Sequence, residues 1–157
     1  MTDSALGLSS LASLTLPECV IDCDANPYVP EHLEVKEHKR CGWWKWNPEK
    51  VVLWRTKEQE AHKRIEGERV YEELATKPVL NANVLDHLLA YPHLIPEKLK
   101  EKTNGCITYV LFWGTLYGFK KGGLCVRCLF WNGNSFDWGN FWLGDTWRPN
   151  YHAILHV

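Results

Sequence analysis

The order of patterns along the chain predicts an α+β fold with mainly antiparallel sheets and two helices. Three observations carry this. A nearly continuous apolar and β-branched run, CITYVLFWGTL (Cys106 to Leu116), is followed by the turn GFKKGG and a returning run, LCVRCLFW (Leu124 to Trp131). Helical patterns are confined to the middle, at Lys57 to Thr76 and in NANVLDHLLAYPHLI. Strand patterns precede and follow them instead of alternating with them, which is the order of an α+β fold and not of repeated βαβ units.

The 157 residues suit one domain, 1–157, with one sizeable core. Residues 1–16 carry Asp3 and lack a basic start, so they read as a flexible lead-in and not a secretory signal. Residues 17–41 hold three prolines and polar turns, with a short strand at Glu34 to Glu37. Gly42 to Thr56 reads as β structure, with Trp44 and Trp46 on one face and a turn at Asn47-Pro48. Thr56 can cap a helix over Lys57 to Thr76, in which Ile65, Val70, Tyr71 and Leu74 form the apolar side and Gly67 is a weak point. Pro78 stops it. Asn81 or Asn83 can cap the second helix, with Val84, Leu85, Leu88 and Leu89 facing the core, and Pro92 ends it. Pro96 to Gly105 is a charged connector. Cys106 to Leu116 suits one central strand buried on both faces, and Tyr151 to Val157 is the last strand.

Composition narrows the function classes. Lys plus Arg is 18 and Asp plus Glu is 19, a net charge of −1, so no global basic field attracts nucleic acid. No apolar run is long enough to span a bilayer, which leaves a cytoplasmic or virion-associated location open. The chain is too rich in core residues to need its six cysteines as disulfides. Cys19, Cys23 and Cys41 with His38 are the one local set resembling zinc ligands, but no second close pair completes it, so no metal and no cofactor are expected. Cys125 and Cys128 sit on an alternating strand and point to opposite faces. Asp22, Asp24 and Asn26 look like the start of a calcium loop, but Pro27 stands where that loop needs glycine. There is no phosphate loop, no G-x-S-x-G and no H-E-x-x-H, so catalysis has no anchor. An enzyme with a Cys nucleophile stays the third reading. A carbohydrate- or nucleic-acid-binding module using Trp43, Trp44 and Trp46 is the second.

The first reading comes from Trp131 to Val157, WNGNSFDWGNFWLGDTWRPNYHAILHV. Large aromatics recur, separated almost only by small or polar residues. Aromatics bury area and hold a backbone; Asn, Ser, Gly, Asp and Tyr are adaptable contact residues. The stretch reads as an aromatic frame carrying a loop-rich display. The alternative is a Gly/Asn-turned core segment without a ligand.

The frame Trp131, Asn132, Gly133, Phe136, Trp138, Trp142, Leu143 and Trp147 resembles the variable region of proteins diversified by diversity-generating retroelements, and FWGTLYGFKKGGLCVRCLFW resembles the hairpin leading into it. The resemblance covers the C-terminal third. It implies a C-type lectin-like fold whose variable residues form a ligand-binding face for a macromolecule, most simply a protein. Such retroelements mutate adenines. The Trp codon has none, whereas an AAC codon altered at its adenines reaches Ser, Thr, Asp, Gly, Tyr, His, Phe, Arg and Pro. The intervening positions come from that set: Asn134, Ser135, Asp137, Gly139, Asn140, Phe141, Gly144, Asp145, Thr146, Arg148, Pro149, Asn150 and Tyr151. His152 departs from the proline expected before Ala153. The implied protein is a non-catalytic binder whose frame residues, Trp142 among them, hold the backbone.

Overall fold

The computed structural model describes residues 17–157; the lead-in predicted over residues 1–16 lies outside them. Eleven strands are described: β1 (Val20–Asp22), β2 (Leu33–His38), β3 (Trp43–Lys45), β4 (Val51–Trp54), β5 (Ile65–Glu66), β6 (Tyr109–Leu111), β7 (Thr115–Phe119), β8 (Leu124–Trp131), β9 (Phe136–Trp142), β10 (Thr146–Trp147) and β11 (Tyr151–His156). Three α-helices accompany them: α1 (Lys57–Glu60), α2 (Gly67–Glu73) and α3 (Ala82–Ala90). The fold is mixed α+β, and its pairings are antiparallel except for β6 with β11.

The main sheet runs β2-β7-β8-β6-β11-β4, with β9 on the other edge of β8. It forks. Strand β7 takes the start of β8 (Tyr117 opposite Cys125) and β6 takes its end (Leu111 opposite Cys128). The single strand expected over Cys106 to Leu116 is therefore two strands with a break at Phe112 to Gly114. The break has its own partners: Phe112 N–H donates to Arg127 O, and Gly114 N–H donates to Leu80 O. A Cβ on Gly114 would lie 2.7 Å from the Asn81 backbone, so only glycine lets the start of α3 approach here.

Alternate residues of the central strands feed two cores, as the pleat requires. Val110, Phe112, Leu129 and Ile154 pack with Val84, Leu85 and Leu88 of α3. Leu111, Val126, Cys128, Ala153 and Leu155 pack with Val70 of α2 and with Leu74 on the other side.

The helix expected over Lys57 to Thr76 is also broken. Thr56 caps α1 in a reciprocal capping box with Gln59, as the T-x-x-Q spacing permits. The chain then turns through His62 at φ 64° and forms β5, which pairs with β10. Gly67 opens α2 against the terminal segment: a Cβ there would sit 2.5 Å from both Leu143 O and Trp147 Nε1. The second helix starts as expected, with Asn81 Oδ1 accepting from Asn83 N–H, and stops before Pro92.

Candidate functional site

The hairpin β8–β9 builds the terminal region. Its tip is local chemistry: Asn132 Oδ1 accepts from the N–H groups of Asn134 and Ser135, both at 2.9 Å, and Gly133 supplies φ 98°. The segment expected to be loop-rich is thus largely strand, because β9 pairs with β8 from Phe136 opposite Trp131 to Trp142 opposite Cys125.

Pairing decides which aromatics act as frame. Trp147 is 1% exposed and its indole N–H donates to Trp142 O at 2.9 Å; Leu143 is 4% exposed. Trp138 lies on the α3 side, 4.3 Å from the Arg127 guanidinium, which makes a bidentate pair with Asp86 at 2.9 Å per bond. Trp142 departs from expectation. It is 49% exposed and rests on Phe119, at 4.9 Å between centroids. The reason is period-2 alternation: the next residue inward on the α2 side is Phe141, which stacks on Tyr151 at 4.3 Å and meets Tyr109 edge-on at 5.0 Å. Phe141, expected as display, carries part of the frame.

None of the thirteen expected contact residues is buried. Asn134, Ser135, Asp137, Asn140, Gly144, Asp145, Thr146 and Arg148 are exposed; Gly139, Phe141, Pro149, Asn150 and Tyr151 are half-buried. They do not share one face. Asn140 pairs opposite Arg127 on the α3 side of the sheet, whereas Asp137, Gly139 and Phe141 alternate to the α2 side. Asn134 and Ser135 stand at the hairpin tip. Two positions have room for larger side chains: a Cβ on Gly144 meets nothing within 4 Å, and one on Gly139 makes only ordinary contact with Cys128 Sγ at 3.6 Å.

Seven of the thirteen converge on two adjoining cavities. A larger one, about 500 Å³, is lined by Arg148, Pro149, Asn150 and Tyr151. A smaller one, about 200 Å³, is lined by Phe141, Asp145, Thr146, Arg148 and Tyr151. The remaining walls were not expected from sequence. Arg64 lines both cavities, and His62, Asn104 and Tyr109 line the larger. The Gln59 amide, 1% exposed, donates to Arg148 O and Tyr151 O, both at 2.9 Å. Arg55 donates to Pro149 O at 2.9 Å, and Asn150 Nδ2 donates to Ile107 O at 2.7 Å. Burial pushes the Tyr151 hydroxyl up, while the nearby Arg148 charge works the other way. In the sequence, Thr56 announced the helix cap, but nothing there signalled the reach of Gln59 beyond it.

Of the zinc-like set, Cys23 and Cys41 lie within hydrogen-bonding reach of each other, but His38 does not join them. Both ring nitrogens of His38 are engaged away from the cysteines, Nδ1 with Thr115 Oγ1 at 2.9 Å and Nε2 with Ala25 O at 3.1 Å. Among the described residues no group of three His, Cys, Asp or Glu is placed to hold a metal ion. Asp22 Oδ1 accepts from Asp24 N–H, and Asp24 Oδ1 accepts from Gly42 N–H, so those oxygens serve turns. All six cysteines are free thiols. Burial pushes the Cys125 thiol up to about 11 and the Cys128 thiol up to about 12, which leaves both protonated and poorly nucleophilic at neutral pH. The tryptophan platform loses a member: Trp46 is buried with its indole N–H on Leu94 O, and only Trp43, 55% exposed, stands free. Among the described residues no helix is long and apolar enough to cross a membrane. Comparison with protein-family models, curated proteins and solved structures finds no match.

Proposed function

We propose that this chain is a non-catalytic ligand-binding protein, diversified by a retroelement, that displays variable residues on a C-type lectin-like scaffold to recognise a macromolecule, in the first place a protein. The observation that carries the reading is the division of the terminal stretch. Leu143 and Trp147 are buried, while eight of the thirteen residues that fit the adenine-altered codon set are exposed and five, Phe141 among them, are half-buried. A diversified surface needs this division, since the core must not feel the changes and the ligand must reach them. The room above Gly139 and Gly144 supports it further. So does the anchoring of the Arg148, Pro149 and Tyr151 carbonyls by Gln59 and Arg55, which holds the backbone independently of the displayed side chains.

The DNA beside the gene tests the reading. A reverse transcriptase gene and a near-copy of the segment encoding Trp131 to Tyr151 are expected. Differences between the copies should fall at adenines of codons such as those for Asn134, Asp137, Asn140, Asp145 and Asn150. The codons for Trp138, Trp142 and Trp147 should be identical. Absence of any such copy overturns the diversification.

A further inference from the structure

Two arginines line both cavities, and neither side chain makes an ion pair or hydrogen bond among the described residues. Arg64 comes from the loop before β5 and Arg148 from the loop before β11. No Asp or Glu lines the larger cavity, although the whole chain carries a net charge of −1. Its size, about 500 Å³, is that of an ordinary small-ligand site. Tyr109 and Tyr151 meet edge-on at 5.5 Å and give it an aromatic wall. Two lining residues hold an uncommon backbone conformation. His62 and Asn104 both adopt left-handed backbone angles, φ 64° and 51°, and their side chains hydrogen-bond to each other at 3.0 Å. Non-glycine residues hold such angles where the surroundings over-determine them, often at binding sites.

We propose that this cavity takes the carboxylate of an acidic side chain on a protein partner, held between Arg64 and Arg148, with its aliphatic stem against Tyr109 and Tyr151. Arginine suits the role because its planar fork matches a carboxylate. A carboxylate fits the charge better than a phosphate does. Asp145 lines the smaller cavity beside the two arginines, so the cluster keeps an excess of one positive charge, which a monoanion neutralises and a near-dianion overshoots. The backbone of this wall is pinned by Gln59, Arg55 and Asn150 before any ligand arrives, so the ordering that opposes binding falls mainly on the two exposed arginine side chains. This inference deepens the binding function proposed above and rests on it for treating this face as the recognition surface.

The test is a titration of the isotope-labelled full chain, followed by NMR, with a capped Gly-Glu-Leu-Gly peptide, its Gln counterpart and inorganic phosphate. The Glu peptide should give saturable shifts centred on Arg64, Arg148, Asn150 and Tyr151. Arg64→Gln and Arg148→Gln should each weaken it about tenfold, as should the Gln peptide. Lys45→Gln, outside both cavities, should change nothing, and the spectra themselves report whether each variant is folded. Three outcomes overturn the proposal: no saturable shift up to about 10 mM peptide, equal binding of the Gln peptide, or equal response of Lys45→Gln. Tighter binding of phosphate overturns the choice of a carboxylate. The DNA test is separate. Peptide binding without a template copy removes the diversification and leaves this inference standing; a template copy without peptide binding does the reverse.

Discussion

Replacing Trp147 and Trp142 separately by alanine tests the division between frame and display. Trp147, on β10, is 1% exposed and lies against Gly67 at the start of α2. A buried Trp removes about 150–250 Å² from water, worth about 4–6 kcal/mol at 25 cal/mol per Å². That is an upper figure, because the unfolded chain also hides surface; Trp→Ala in cores costs about 3–5 kcal/mol. The indole N–H bond to Trp142 O places Trp147→Ala toward the upper end. Trp142 would cost as much if it were buried as the frame pattern suggested. It keeps 49% of its surface exposed and rests mainly on Phe119. The same arithmetic, halved and corrected for the unfolded chain, gives about 1–2 kcal/mol. Asn140→Ala and Asp145→Ala should stay within about ±0.5 kcal/mol. Urea unfolding of the four variants, read as midpoint and slope, gives the order directly. Should Trp142→Ala cost as much as Trp147→Ala, or either polar substitution unfold the chain, the assignment of faces along β9 is wrong.

Burial and the Arg55 charge hold the His152 imidazole at about 4, below its ordinary 6.5. The unfolded chain therefore takes up that proton first, so stability should be fully present above about pH 6.5 and fall as pH drops to about 4. His152→Gln should flatten this part of the melting-temperature profile, and an unchanged profile refutes the assignment. Gly67→Ala should cost about 1–3 kcal/mol through overpacking against Leu143 and Trp147, whereas Gly144→Ala should be neutral within about 0.5 kcal/mol; thermal melts separate the two. Gln59→Leu strips the bonds to Arg148 O and Tyr151 O and should cost about 2–3 kcal/mol. Hydrogen exchange should show the Arg148 to Tyr151 segment losing protection before the sheet does. Finally, chelator followed by added calcium should leave the melting temperature unchanged, because among the described residues no group of three His, Cys, Asp or Glu is placed to hold a metal and hard cations need several oxygens.

What the sequence determined by itself is whatever depends on near neighbours. The α3 cap at Asn81, the stop before Pro92, the turn through Gly122 and Gly123, strand β8 and the Asn132-Gly133 turn all follow from residues a few positions apart. So does the exposure of the small and polar residues between the aromatics, since such residues contribute little to a core. Tertiary structure decided the rest. The apolar run from Cys106 divides because Leu80 and Arg127 supply partners for Phe112 and Gly114, and neither is near in sequence. The helical pattern after Thr56 breaks because β5 finds β10, some eighty positions on. Trp142 and Phe141 exchanged roles because composition does not encode which face of a strand meets a second layer; the register with β8 does. The cavity walls at His62, Arg64, Asn104 and Tyr109 gave no signal in the sequence. Their residue types are ordinary, and only long-range pairing brings three separate segments of chain around one space.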